Sequence, residues 1–121
     1  MGELENKNRY DLEKRTLEFA RLVRTYVNEL PKNISNLEYA RQLVRSSGSI
    51  GANYIEAQEA LGKKDFGMRV KISRKEAKES RYWLELTEPE EGKIKEKERL
   101  IKEVIELTKI FGSIVEKTKN I

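Results

Sequence analysis

The chain is 121 residues long, with a charged fraction of 38%, two prolines and seven glycines, which fits one all-helical domain spanning residues 1–121. It contains no cysteine and no histidine. Disulfides, thiolate metal sites and cysteine nucleophiles are therefore excluded, and so is the imidazole that serine hydrolases, most zinc sites and di-iron bundles require. The net charge is +4, too small to name a partner until its placement along the chain is known.

The first ten residues, MGELENKNRY, are charged and carry no apolar leader core. Asn6 stands where an acylation signal after Met1-Gly2 needs Ser or Thr. No apolar run approaches membrane-spanning length, so a cytoplasmic protein is expected. A first helix is predicted over 11–30, with a seam of Leu12, Thr16, Phe19, Val23, Tyr26 and Leu30, widened by Leu22 and Val27 and stopped by Pro31. A second is predicted over 35–61. Ser35-x-x-Glu38 reads as its capping box and Ile34 as a staple onto Tyr39. Its core positions are Leu43, Ser47, Ile50, Tyr54, Ala57 and Leu61.

The middle of that helix, SSGSIGAN, is rich in small residues. Two mid-helix glycines cost about 1 kcal/mol each relative to alanine, so close approach by a neighbouring helix is expected to compensate. A kink at Gly48–Gly51 is the competing reading. Just beyond lie Asn53 and Glu56, one turn apart and beside the seam.

A third helix is predicted over 65–87, capped by Asp65. Met68, Ile72, Glu76, Glu79, Trp83 and Leu86 share one stripe of it, apolar at both ends with two carboxylates between. Glu76, Glu79, Asn53 and Glu56 are expected to form a structural polar network, with Arg45 and Arg69 as partners. A di-metal carboxylate site is the weaker alternative, since no histidine is available. The opposite stripe, Lys71, Arg74, Lys78 and Arg81, is wholly basic, with Lys63, Lys64 and Lys75 alongside. Residues 63–87 hold eight basic and four acidic residues, 8 − 4 = +4, while the segments before and after are neutral. The whole excess charge therefore lies in this helix.

Glu88-Pro89-Glu90-Glu91-Gly92 is the last turn, and a fourth helix spans 93–119. Ile101, Val104, Ile105, Thr108, Phe111 and Val115 are placed inward. Leu100, Leu107, Ile110 and Ile114 add an apolar surplus that suggests a subunit interface, or else a thick core. Four helices with short connections predict an all-α, up-down-up-down antiparallel bundle.

Two stretches carry a resemblance: SSGSIGANYIEAQEA in the second helix and DFGMRVKISRKEAKESRYWLEL in the third. Asn53 and Glu56 match the Asn-x-x-Glu pattern, and Lys75–Leu84 the Lys-Glu-Ala-x-Glu-x-x-Tyr-Trp-Leu pattern, of the 23S rRNA-intervening sequence proteins, also called "four helix bundle protein". The chain resembles that family over most of its length. The family in turn resembles the accessory protein of diversity-generating retroelements, a basic, barrel-like homopentamer that binds nucleic acid and a reverse transcriptase. The resemblance implies a homo-oligomeric ring, a homopentamer, but no activity.

Three functions are weighed. The first is a non-catalytic, oligomeric accessory protein binding the phosphate backbone of RNA or DNA through Lys63, Lys64, Lys71, Arg74, Lys75, Lys78 and Arg81. The second is a protein-interaction scaffold whose basic face docks an acidic partner such as a polymerase or reverse transcriptase. The third is a metal-dependent nuclease using Glu56, Glu76 and Glu79. The expectation is the first: no enzyme, no cofactor, no metal and no membrane. Tyr82 and Trp83 could stack on bases, but Trp83 is assigned to packing.

Overall fold

The computed structural model describes the backbone of residues 2–119 and the side chains of residues 12–119. The leader and acylation readings rest on residues whose side chains lie outside that range. Four helices form: α1 (Gly2–Asn28), α2 (Ile34–Gln58), α3 (Lys63–Leu86) and α4 (Ile94–Lys119), the last preceded by a 3₁₀ turn at Glu91–Lys93. No strand occurs among the described residues. Each helix packs on two neighbours, α1 and α3 each touching α2 and α4, as in a four-helix bundle.

The register can be read from pairs of residues. Thr16 on α1 meets Gly51 on α2. Ser80 and Ser73 on α3 donate to the Ser46 hydroxyl and the Ile50 carbonyl on α2, both at 2.9 Å. Gly67 faces Thr118, and Arg74 faces Gly112, across α3 and α4. Arg15 reaches Glu103 at 2.8 Å, and Glu29 meets Lys93 at 2.8 Å. For α2–α3, α3–α4 and α1–α4 one residue number falls as its partner's rises, so these neighbours run antiparallel, and α1 and α2 must then be antiparallel too.

The helix ends differ from expectation for local reasons. No proline or glycine interrupts residues 3–28, so α1 starts at Gly2, well before Asp11. It closes at Asn28, and the chain turns through Glu29 and Leu30 into Pro31. The α2 cap is Asn33, not Ser35: its side chain accepts the Asn36 amide at 2.8 Å, and the Ser35 hydroxyl donates back to it. Ile34 is 90% exposed, so there is no staple onto Tyr39. The helix ends at Gln58, which leaves Leu61 outside it and wholly exposed. Gly62 caps α3 without any side-chain hydrogen bond, placing Asp65 inside the first turn and not at the cap.

α2 is unbroken through Gly48–Gly51, so the kink is discarded. Close approach accounts for Gly51 alone. A Cβ there would stand 2.7 Å from the Thr16 hydroxyl, while one at Gly48 meets nothing within 4 Å.

The core follows the predicted α1 seam from Leu12 to Leu30 and continues through Leu43, Ile50, Tyr54 and Ala57. Leu22, counted as widening the seam, is exposed instead. On α3 the buried residues are Val70, Ser73, Glu76, Ala77, Ser80 and Leu84; Glu76 belongs to the stripe expected, and the others lie roughly a quarter-turn or more from it. Met68 is exposed, and Ile72, Glu79, Trp83 and Leu86 are only half-buried. Small side chains fill the true seam because α2 and α3 approach closely through Ser46, Ser73 and Ser80.

On α4 the buried positions are Leu100, Val104, Leu107, Phe111 and Val115, so Leu100 and Leu107 belong to the seam. Ile105 and Thr108, placed inward by their spacing, are half-buried. Ile101, Ile110 and Ile114 lie partly buried against the same core, so it absorbs much of the apolar surplus. Exposed apolar side chains are scattered over the helices, Leu17 and Leu22 on α1 and Met68 and Tyr82 on α3 among them, while Leu37, Val44 and Ile55 share one outer stripe of α2.

One buried residue ties the two turns at the same end of the bundle. Asn36 donates to the Pro31 and Glu88 carbonyls, each at 3.0 Å, and accepts the Glu88 amide at 2.9 Å. Beside it, Thr87 donates to the Leu84 carbonyl, so the 2.7 Å contact from Tyr26 must have the tyrosine as donor. Lys97 adds a bond to the Thr87 carbonyl at 2.7 Å.

Candidate nucleic-acid interface

α3 carries two polar surfaces, one engaged within the chain and one open to solvent. The engaged surface is built on Arg45. From α2 its guanidinium reaches both Glu76 oxygens at 3.4 Å and also bonds Glu79. Glu76 is 8% exposed. A carboxylate so placed needs a partner, and one cation serves both acids. Hydrogen bonding to Glu76 and the charges of both acids raise the Arg45 pKa above its ordinary value.

The other expected members stand apart. Ser46–Ser80 and Ile50–Ser73 fix the register, placing Asn53 and Glu56 opposite the start of α3 and not its middle. Eleven residues separate Glu56 from Arg45, about 16 Å along the axis. Glu56 is exposed, and Asn53 donates to the Ser49 carbonyl one turn back at 2.8 Å. Arg69 is spent on Asp65, one turn away at 3.9 Å, and reaches neither seam acid. The network is thus Arg45, Glu76 and Glu79, without Asn53, Glu56 or Arg69. Among the described residues no group of three acidic side chains could hold a metal ion.

With those acids occupied, the rest of α3 is positive. Asp65 is held by Arg69, and Glu85 by Arg81 at 3.2 Å. Among the described residues no carboxylate lies within ion-pair reach of Lys63, Lys64, Lys71, Arg74, Lys75 or Lys78. All but Arg74 are exposed, and the Arg74 stem lies over Gly112 of α4. Lys71, Arg74 and Lys78 follow one another at helical spacing, a row about 10 Å long. Arg81, expected in the same row, is tied to Glu85 and is the least available of the four.

An aromatic group borders the engaged surface. Trp83 stacks on Tyr39 with ring centroids 6.0 Å apart and meets the edge of Tyr82 at 5.0 Å. Trp83 also packs against the core, as expected, while Tyr82 is exposed.

Two features escaped the sequence reading: the Asn36 link between turns, and the pairing of Asp65 and Glu85 within α3. Asn36 sits at an ordinary position after its cap and carries no local signal. The i,i+4 spacing of acid and base was the available signal for Asp65–Arg69 and Arg81–Glu85.

Fold and surface together define an all-helical protein of four helices with one basic helix face. The sequence profile of the 23S rRNA-intervening sequence proteins matches residues 8–113, and the chain belongs to that family. It is similar to a crystal structure from Bacteroides thetaiotaomicron VPI-5482, of a protein with unknown function from the S23 ribosomal protein family. The two share 34% identity over 86% of this chain and 97% of that one, with a TM-score of 0.69. No curated protein matches the chain. No described helix is long and apolar enough to cross a membrane.

Proposed function

We propose that the protein is a non-catalytic accessory protein that binds the phosphate backbone of RNA or DNA, working in the cytoplasm as a homo-oligomeric ring. The observation that carries this reading is the charge asymmetry of α3. Its acids are all paired, while Lys71, Arg74 and Lys78 line up with no carboxylate in reach among the described residues. Unpaired cations in a row attract phosphates and release counterions on binding, which gives affinity without reading sequence. The exposed Leu37, Val44 and Ile55 on α2 support self-association, since they follow one outer stripe at helical spacing. A ring would present the basic row several times to one strand and raise its avidity.

Fluorescence anisotropy with short labelled RNA and DNA, titrated with salt, tests the reading. Binding of both that weakens steeply with salt supports it. Absence of any complex at low salt removes it.

The same unpaired cations on α3 favour a second reading, a scaffold whose basic face docks an acidic protein partner such as a polymerase or reverse transcriptase. Pull-down with and without nuclease separates the two: a partner retained after nuclease treatment favours the scaffold.

A further inference from the structure

α3 begins and α4 ends in the same corner of the bundle, at Lys63 and Lys119. Between them lies an open groove with a volume of about 490 Å³. Four lysines surround it: Lys63, Lys64, Lys71 and Lys119. Its apolar lining comes from Met68 and Val115, and Gly67 closes it against Thr118, where a Cβ would stand 3.0 Å from the hydroxyl.

The charges here are left for an anion. Among the described residues Lys63, Lys64 and Lys71 have no carboxylate within ion-pair reach, and Lys119 has only the exposed Glu116 at 3.1 Å. Asp65, the acid in the first turn of α3, is held by Arg69. No side chain caps α3, and the first closing bond, from Phe66 to the Gly62 carbonyl, leaves the amides of Lys63, Lys64 and Asp65 without helical partners. The C-terminal carbonyls of α4 oppose an anion, but Lys117 and Lys119 in the last turn offset them.

We propose that this corner binds a terminal phosphate, the phosphomonoester or pyrophosphate group of a nucleotide, either free or at the 5′ end of a strand. An internal phosphodiester carries one negative charge and matches four ammonium groups poorly. A terminal phosphate or pyrophosphate carries two or three. The exposed Met68 offers the base dispersion contact but no hydrogen-bonding edge, so the site takes any base. The proposal deepens the nucleic-acid reading and rests on it for the strand as a source of ligand, while the groove stands on its own geometry.

The test has two arms. In the first, ADP and adenosine are titrated at low salt by calorimetry and amide NMR. ADP should bind about tenfold or more tightly than adenosine, shifting the amides of Lys63, Lys64 and Asp65. In the second, one RNA is compared with a 5′-phosphate and with a 5′-hydroxyl. The phosphorylated strand should bind several-fold tighter. K63Q/K64Q, changes at exposed positions, should abolish both preferences, and R74Q/K78Q should leave ADP binding intact.

No ADP binding, or ADP binding unchanged in K63Q/K64Q, overturns the site. If ADP binds and no strand does, the site stands and the nucleic-acid reading falls. If strands bind equally with either end and ADP does not bind, the reading stands and the site falls.

Discussion

Gly48 and Gly51 sit almost one turn apart on α2 and should respond to alanine with opposite signs. Gly48→Ala adds a methyl in open space and removes backbone freedom from the unfolded chain, a gain of about 0.5–1 kcal/mol. Gly51→Ala pushes a methyl against the Thr16 hydroxyl, at a loss of about 1–3 kcal/mol. Urea denaturation of both variants checks this, and Thr16→Ala should rescue the second. Equal effects would mean that α1 does not approach α2 as described. Arg45 gives a second test. Arg45→Met strands the buried Glu76 and should cost about 1–3 kcal/mol, whereas Glu79→Gln should cost less, because Arg45 still serves Glu76. Thermal melts that reverse this order would contradict the shared-cation reading. Tyr26 supplies the alkaline limit. Burial raises its pKa above the ordinary 10.0, so the folded state holds the phenolic proton after the unfolded chain has lost it. Its contribution is full below pH 10.0 and is lost as pH rises through the folded value. Tyr26→Phe should therefore show a shallower fall in stability above that pH, measured by denaturation at stepped pH.

At the level of elements, α3 shows where sequence reading succeeds and where it stops. The basic stripe was legible because Lys71, Arg74, Lys78 and Arg81 need only helical periodicity to share a face. The core stripe was not, because Ser73, Ala77 and Ser80 read as polar or neutral while Met68, Ile72 and Trp83 read as core. Small residues mark close helix approach, and periodicity weighted by hydrophobicity passes over them. The polar network was legible in part: Arg45 pairs with Glu76 and Glu79 as expected, while Asn53, Glu56 and Arg69 stand apart. Pairing Glu76 with Asn53 or with Arg45 depends on the register between helices, which one sequence does not contain. α1 was legible throughout its seam because every position but Thr16 is a sizeable apolar or aromatic side chain and the spacing is regular. Asn36 gives the test at this scale. Asn36→Ala removes three bonds between the α1–α2 and α3–α4 turns and leaves the Glu88 amide without its partner, so it should cost about 2–3 kcal/mol. Hydrogen exchange should show both turns losing protection together. Loss confined to one turn would contradict the link.

Across the whole molecule, the chain divides into a part that holds the fold and a part left free of it. Every acid on α3 is paired, either within the helix or across to Arg45, and the unpaired cations form a continuous surface from the lysine corner along the row to Lys78. That surface carries the functional reading, and its salt response is the most direct measurement. Anisotropy of a labelled RNA should give log K falling linearly with log salt, with a slope of about −2 to −4 for three to five neutralised phosphates. Replacing Lys71, Arg74, Lys78 and Arg81 with Gln should flatten the slope and weaken binding alike for every sequence. A slope near zero, or a quadruple variant that binds as tightly as the wild type, would contradict the account.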